Sequence, residues 1–506
     1  MVNQPGPMPE AGETLEEQEP PQKPVELIRI LQDMQPYPLK PEKISIEGKR
    51  LAVAGGGESL AAQIRSALEN AGAQADIIQA DADMALYDGL IFLDAAASPN
   101  PEAMRDLFTL IHGTRLNHLK WVFTFSDSIG KIESGKNWDD IRQIQGFSGL
   151  FKTLRLEYPD VKFRSVLSCT LFDGETLPQI VLDELRVDDL YPEIFYKGVE
   201  RLNYKIRMEP LVFEAANASS NLKLDSDSVV LVLGGAQGIA PELMAQLAAE
   251  YPCRYLLVGR SQALDDPERV YSKLKTLLDI RKHLITVEGM KVPAEIEKKI
   301  QKIFKSNQIA EALAKIEKTG AQVAYRSIDI TDRDQFKAFL QSVRKEYGKI
   351  DGIVHSAGLI HDKFFADKTW ESFEKVYQTK VNPLHVILEE MNGDLKLLVL
   401  FSSVASVYGN KGQADYTAAN SVFDLFASFH HGMPNLRVVT FNWSAWKGAG
   451  MVSESLEAEF ARRGISLIPL KEGGAYFVNE LKYGKEARII VVGGGEEVEN
   501  FLKKWE

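Results

Sequence analysis

Short apolar runs closed by glycine or polar turns alternate, along most of this chain, with stretches whose apolar residues recur at helical spacing. "KRLAVAGGGESLAAQIRSALENAGAQADII" (49–78) reads strand, glycine turn, helix, strand, and "DSVVLVLGGAQGIAPELMAQLAAEYPCRYLLVGRS" (227–261) reads the same way. The pairing continues. "YDGLIFLDAA" (87–96) parallels "IDGIVHSAG" (350–358), and "KWVFTFSDS" (120–128) parallels "KLLVLFSSVAS" (396–406). "GFSGLFKTLRLEYPDVKFRSV" (146–166) parallels "DYTAANSVFDLFASFHHGMPNLRVV" (415–439). Continuous apolar strands between helices imply parallel sheets covered on both faces. An internal repeat of this length predicts an α/β protein of two Rossmann-like, doubly wound units, not a solenoid. Laid over one another, the halves pair Tyr416 with Phe147, Ser403 with Asp127 and Asn420 with Phe151. The first half has lost its hydroxyls and kept its apolar frame, so it is expected to be degenerate and structural, and the second catalytic.

The 506 residues are more than one ordinary core holds, which agrees with two units. Residues 1–43 hold nine of the 22 prolines and read as an acidic linker. The expected division is then 44–220 for the truncated structural half and 221–506 for the catalytic half. A net charge of −12 without a long basic block speaks against nucleic acid. Cys169 and Cys253 are far apart, form no ligand cluster or disulfide framework, and fit a reducing, cytoplasmic setting without a metal. No apolar run is long enough to span a membrane, and the N-terminus lacks the form of a signal peptide.

The repeat places chemistry at strand ends. Gly234, Gly235 and Gly238, with Gln237 and Ile239, form a strand-to-helix turn. Glycine there permits a tight turn and close approach of a phosphate, and the helix N-terminus offers free N–H groups to a pyrophosphate. The next strand ends in Arg260 and Ser261. Arginine at that point suits the 2′-phosphate of NADP, where an acid would bind the ribose of NAD. Asp329 and Ile330 in "SIDITD" end a strand near the expected adenine position, and Ser356, Ala357 and Gly358 end the strand that would pass beside the cofactor.

Reducing a ketone requires a hydride donor, an acid and a hydrogen bond to the carbonyl oxygen. Tyr416 can be the acid, and Ser403, thirteen residues earlier, the second donor. That spacing resembles the short-chain dehydrogenase site, where a lysine usually follows the tyrosine by four. Here Asn420 holds that position, and Lys380 lies on the preceding helical stretch, where those enzymes carry asparagine. Taken singly, Lys380 reads as a surface lysine, Ser403 as a turn or cap residue and Tyr416 as core.

With the exchange, the sequence resembles the ketoreductase domain of modular and iterative polyketide synthases. The resemblance covers roughly 48–495 and rests on "LGGAQGIA", "VGRS", "DITD", "HSAG", the lysine helix, "FSSVASVYGNKGQADYTAAN" and "FNWSAWKGAGM". It implies NADPH-dependent reduction of a 3-ketoacyl thioester carried on the phosphopantetheine of an acyl carrier protein, with neighbouring synthase domains as partners. Leu233 stands where the family usually has threonine, and Ala240 where glycine is common. The stretch 262–308 reads as charged amphipathic helices and is longer than a simple modular ketoreductase needs. This longer form looks most like the ketoreductases of polyunsaturated fatty acid synthases and some bacterial polyketide synthases. Residues 447–466 read as a lid, with Leu456 and Phe460 on one helix face and Arg462 and Arg463 available to an acidic carrier.

The resemblance assigns substrate contact and stereocontrol to Asp362, Tyr408, Gln413 and Met451. Only Asp362 survives of the Leu-Asp-Asp triplet common in enzymes making the D (3R) alcohol. Tyr408 stands where the opposite class carries tryptophan, and the D product is expected. Two other readings stand beside this one: a redox-silent epimerase or scaffold, and a free short-chain dehydrogenase for small alcohols. The intact Ser–Tyr–Lys–Asn set speaks against the first, and the degenerate half against the second. The open linker favours an excised domain over a stand-alone reductase.

Overall fold

The computed structural model describes residues 27–40, 44–94, 100–112, 116–127, 129, 144–172, 174–211, 220–265, 270–390, 393–429, 435–449, 457, 460, 462 and 466–494. Strand β1 (Leu27–Pro36) precedes the first half. That half runs β2 (Arg50–Gly55), α1 (Gly57–Asn70), β3 (Gln74–Ile78), β4 (Gly89–Asp94), α2 (Ala103–His112), β5 (Trp121–Ser126), α3 (Phe147–Glu157), β6 (Lys162–Ser168), α4 (Thr176–Arg186), β7 (Glu193–Lys197) and β8 (Glu200–Met208). The second half opens with β9 (Val229–Leu233), α5 (Ala240–Glu250), β10 (Arg254–Gly259), α6 (Leu277–Thr286), α7 (Pro293–Glu317), β11 (Gln322–Ser327) and α8 (Arg333–Tyr347). It continues through β12 (Gly352–His355), α9 (Trp370–Glu389), β13 (Leu397–Ser403), α10 (Val404–Tyr408), α11 (Ala414–Phe429), β14 (Arg437–Trp443), α12 (Leu470–Tyr483) and β15 (Arg488–Gly493).

These strands form one sheet of fifteen, in the order β11-β10-β9-β12-β13-β14-β15-β1-β8-β7-β6-β5-β4-β2-β3. The expected doubly wound units are both present, joined edge to edge. Within each unit the strands are parallel, and three antiparallel pairings make the seam: β1 with β15, β1 with β8, and β7 with β8. Joining the units leaves neither with an unpaired strand edge at the seam.

The seam corrects one expectation. Residues 27–36, read as linker, are the central strand that welds the halves. "LIRIL" is apolar at four of five positions, with Ile30 and Leu31 buried, and the proline content of the flanking sequence masks so short a run. Arg29 forks onto the buried carboxylate of Glu480 in α12, at 2.9 Å from both Nε and Nη2. That satisfies a charge the strand carries into the interior.

The repeat extends to a polar device. Asp88 accepts from the Arg50 amide at 2.9 Å, and Asp351 from the Val229 amide at 2.9 Å. Each carboxylate, just before β4 or β12, fixes the first residue of the neighbouring strand. Across the seam α3 and α11 pack backbone to backbone. A Cβ on Gly146 would lie 2.0 Å from the Ala418 carbonyl oxygen, and one on Gly149 2.1 Å from that of Thr417. Only glycine allows this approach. In the 262–308 stretch α6 and α7 enclose a small core of Ile280, Leu284, Ile296, Ile300 and Ile303. The second helix runs on to Glu317, because its later turns pack Ile309, Ala312 and Ile316 on the catalytic half's own core.

Candidate active site

The order β11-β10-β9-β12-β13 puts the chain reversal between β9 and β12, where ligands bind beyond the carboxyl ends of parallel strands. Of the strands whose ends carry the expected cofactor residues, β9 and β12 flank this reversal, and β10 and β11 follow on the β9 side. Gly234 (φ +78°) and Gly238 (φ +63°) adopt a conformation that suits glycine, and a Cβ on Gly234 would strike the Ala357 backbone at 2.8 Å. Ser356 donates its amide (2.9 Å) and hydroxyl (2.8 Å) to the Leu233 carbonyl, tying the two strand ends together. No side chain caps the first turn of α5, with Ile239 at its N-cap. Pro241 has no N–H and the Glu242 amide donates to the Ile239 carbonyl at 3.2 Å, so the amides left for an anion are those late in the glycine turn and that of Ala240; the turn fits a dinucleotide pyrophosphate.

Arg260 is exposed just past β10, with its carbonyl held by the Ser327 hydroxyl at 3.2 Å. Ser261 is held through its carbonyl by the Tyr325 hydroxyl at 2.7 Å. Asp329 turns its carboxylate onto the Thr331 amide (3.0 Å) and hydroxyl (2.7 Å), shaping the loop, while Ile330 is buried. Gln237 is exposed at the tip of the turn, and Gly358 follows Ala357 at the far side of the cradle.

Ser403 closes β13, the strand next to β12, and Tyr416 and Asn420 lie one turn apart on α11. The Ser403 hydroxyl also caps α10, accepting from the Ala405 amide at 3.2 Å. Burial raises the Tyr416 phenol above its usual pKa; interactions with Ser403 and Asn420 pull it back, and the negative charge of Asp362 adds to the rise. A phenol so held stays protonated at neutral pH and can act as an acid. Asn420 donates through Nδ2 to the Tyr416 carbonyl at 2.7 Å, and its buried Oδ1 has no hydrogen-bond partner among the described residues. An unmet buried acceptor is costly and marks a place for a water or substrate group.

Lys380 is not a surface lysine. It is 3% exposed on α9, donates to the Phe401 carbonyl at 2.6 Å and lies 4.8 Å from the centre of the Phe423 ring on α11. Burial lowers its pKa to about 7, with the Asp424 charge opposing. The lysine has thus entered the interior from the earlier helix, one turn of α11 beyond Asn420.

Asp362 lies on the exposed loop after β12. It accepts from Gln413 Nε2 at 3.2 Å, and the cap of the following helix is Thr369. Tyr408 is not gathered with these groups: its ring packs with Ile30, Ile206, Val407, Ile490 and Val492 at the seam. The resemblance assigned it to the substrate, but at the end of the single turn of α10 it packs at the seam beside β1. Met451, Leu456 and Arg463 lie outside the described residues, as does most of the 447–466 stretch.

Two supports were not read from the sequence. His355 holds the Lys380 carbonyl through Nε2 at 3.1 Å, and burial lowers its pKa to about 3, so it is neutral. Asp424, eight residues after Tyr416, accepts from Asn442 Nδ2 (2.8 and 2.9 Å), Ser406 Oγ (2.5 Å) and Arg488 (3.0 Å). The histidine of "HSAG" was a visible signal; the Asp424–Arg488 pairing exists only in three dimensions. Among the described residues no cluster of His, Cys, Asp or Glu could hold a metal, and no helix is long and apolar enough to cross a membrane.

Residues 228–448 match the family model for the KR domain. One polyunsaturated fatty acid synthase chain of Thraustochytrium is 28% identical over 363 residues, 68% of this chain and 12% of the relative. Polyketide synthase PksL of Bacillus subtilis is 26% identical over 375 residues, 72% of this chain and 7% of the relative. The chain therefore spans a small part of the length of these relatives. Among solved structures, a ketoreductase domain from the bacillaene assembly line superposes with a TM-score of 0.65 at 21% identity, covering 94% of this chain and all of that one. The ketoreductase from the first module of phoslactomycin biosynthesis in Streptomyces sp. HK803 gives 0.66 at 17% identity, covering 93% and 94%.

Proposed function

We propose that this chain, which belongs to the ketoreductase domains of type I polyketide synthases and polyunsaturated fatty acid synthases, reduces the β-keto group of a 3-ketoacyl thioester to the β-hydroxy thioester. The observation that carries this reading is that Ser403 and Asn420 act on the buried Tyr416 phenol, with Lys380 buried against the same helix, next to the strand reversal that holds the glycine cradle. A nicotinamide dinucleotide held at the cradle would supply the hydride to the β-carbon.

The turn of Gly234, Gly235 and Gly238, with the Ala240 amide that opens α5, would hold the pyrophosphate. Arg260 takes a 2′-phosphate, which makes NADPH the donor. Ser403 donates a hydrogen bond to the substrate carbonyl oxygen, and Tyr416 gives that oxygen its proton as the alkoxide develops. Asn420 holds a water at its unmet Oδ1, through which the phenol is reprotonated. Lys380 favours the phenolate electrostatically while it is charged.

The substrate arrives on the phosphopantetheine arm of an acyl carrier protein, with neighbouring synthase domains around it. Asp362 steers the arm so that the D (3R) alcohol forms. Incubation with a carrier-bound 3-ketoacyl substrate followed by chiral analysis tests this. Mostly 3R alcohol is expected, and mostly 3S alcohol would refute the steering by Asp362. An unchanged ketone would refute the reduction itself.

A further inference from the structure

We propose that Glu157, the last residue of α3 in the half without catalytic hydroxyls, is a positioning residue that clamps the two loops flanking the carbonyl site and thereby sets product configuration. The inference rests on the ketoreductase reading of that site, and it lies outside the segment that matches the KR family model.

The Glu157 carboxylate spans two main chains. Oε1 accepts from the Gly412 amide at 2.8 Å, and Oε2 accepts from the Phe365 amide at 2.8 Å. Gly412 lies four residues before Tyr416, and Phe365 three residues after Asp362. The same loops meet twice more: the Lys363 amide donates to the Gly412 carbonyl at 3.0 Å, and Gln413 Nε2 donates to both Asp362 oxygens at 3.2 Å. One carboxylate therefore bridges the loop that carries Asp362 and the loop that delivers Tyr416, beside these links and the buried Lys368–Asp415 pair at 2.8 Å. Further back on α3, Thr153 Oγ1 meets the Asn410 carbonyl (3.2 Å), the Asn410 amide (3.3 Å) and Thr417 Oγ1 (2.9 Å). The helix thus guides the whole 409–413 segment into α11.

Two features separate this from a chance surface contact. Glu157 makes no ion pair among the described residues, and both its oxygens serve main-chain amides, a charge-assisted arrangement stronger than neutral hydrogen bonds. The residue at its place in the internal repeat is Phe426, buried in the core. An acid is therefore not demanded by the helical frame the halves share. Displacement of a reacting group by about 1 Å can cost on the order of a hundredfold in rate. A loop pair held at two points of one carboxylate is where such precision would be lost.

Hydrogen exchange measured by mass spectrometry on the whole chain, wild type against Glu157→Ala and Glu157→Gln, tests the clamp without relying on activity. Peptides covering 359–368 and 409–414 should exchange about tenfold faster in Glu157→Ala, less so in Glu157→Gln, with the rest of the sheet unchanged. Exchange within twofold of wild type, or acceleration spread evenly over the molecule, would overturn the clamp. If Glu157→Ala fails to fold, Glu157→Gln keeps one acceptor and carries the same comparison. On a carrier-bound 3-ketoacyl substrate, Glu157→Ala should raise KM more than it lowers kcat and should erode the purity of the alcohol. A single enantiomer from a variant with loosened loops would overturn control of configuration. If wild type itself performs no reduction, the ketoreductase reading fails, and the exchange data still decide the clamp.

Discussion

The two halves use the same frame and differ in what stands at the ends of the strands. In the first half a Cβ on Gly56 would strike the Leu93 side chain at 2.8 Å, and one on Gly55 the Leu93 carbonyl at 2.3 Å. The residue matching Leu93 in the second half is Ser356, a small side chain whose hydroxyl folds back onto the Leu233 carbonyl at 2.8 Å. Phe147 and Phe151, both buried, replace Tyr416 and Asn420. A leucine over the turn and two rings in place of polar groups turn a site into core, while the sheet and the Asp88 and Asp351 fastenings persist. The comparison shows that the fold sets where a site can be and a few side chains decide whether it exists. It also shows what the first half still contributes: a helix packed so closely on α11 that only glycine fits between them.

Making the second half resemble the first should have the largest effect. Tyr416→Phe removes the acid, and turnover should fall by on the order of 100- to 10,000-fold while NADPH binding, followed by fluorescence, stays near wild type. Turnover within a few-fold of wild type would break the assignment.

Lys380→Met sharpens the contrast between a buried charge and the apolar first half. Its pKa is lowered to about 7 by burial, so the charge that assists Tyr416 is lost as pH rises through about 7. The rate ratio of wild type to variant should be greatest, about tenfold or more, below pH 7 and shrink above it. Stability should show the opposite benefit. Between the lowered folded pKa and the higher unfolded one the unfolded chain binds more protons, so wild type gains stability as pH rises from about 7. The methionine variant should therefore exceed wild type in melting temperature most clearly below pH 7. Parallel pH profiles for rate and melting would contradict this role.

Arg260→Ala should reduce the preference for NADPH over NADH by roughly ten- to a hundredfold, the worth of hydrogen bonds to a charged group at about 1.5–3 kcal/mol. Comparison of kcat/KM for the two cofactors checks it, and an intact preference would remove Arg260 from the phosphate site. Smallest for the chemistry is Gly146→Ala. Its Cβ must push α3 from α11, costing about 1–3 kcal/mol in chemical denaturation with a modest loss of turnover. An unaffected denaturation midpoint would mean the halves tolerate separation.

Much of this was legible in the sequence because apolar periodicity is local. The repeated strand–turn–helix units and the glycine turn lie in runs whose spacing carries their geometry, as does the one-turn separation of Tyr416 and Asn420, whereas Lys380 comes from another helix and was singled out through the resemblance. Strand β1 escaped notice because a short apolar run lies in proline-rich sequence and its partners, β8 and β15, are hundreds of residues away. Tyr408 was assigned through the resemblance, and its packing at the seam depends on partners from β1, β8 and β15 that no local pattern shows. The Asp424–Arg488 pair and the Glu157 bridge join residues 64 and more than 200 positions apart, so no local pattern announces them.

The most direct test is the oxidation of NADPH by the wild-type chain with a 3-ketoacyl thioester on a carrier protein, with the product analysed alongside. One β-hydroxyacyl thioester formed per NADPH consumed is the predicted result. Cofactor that binds but is not consumed, with the ketone recovered unchanged, would contradict the claim that the second half is a working reductase.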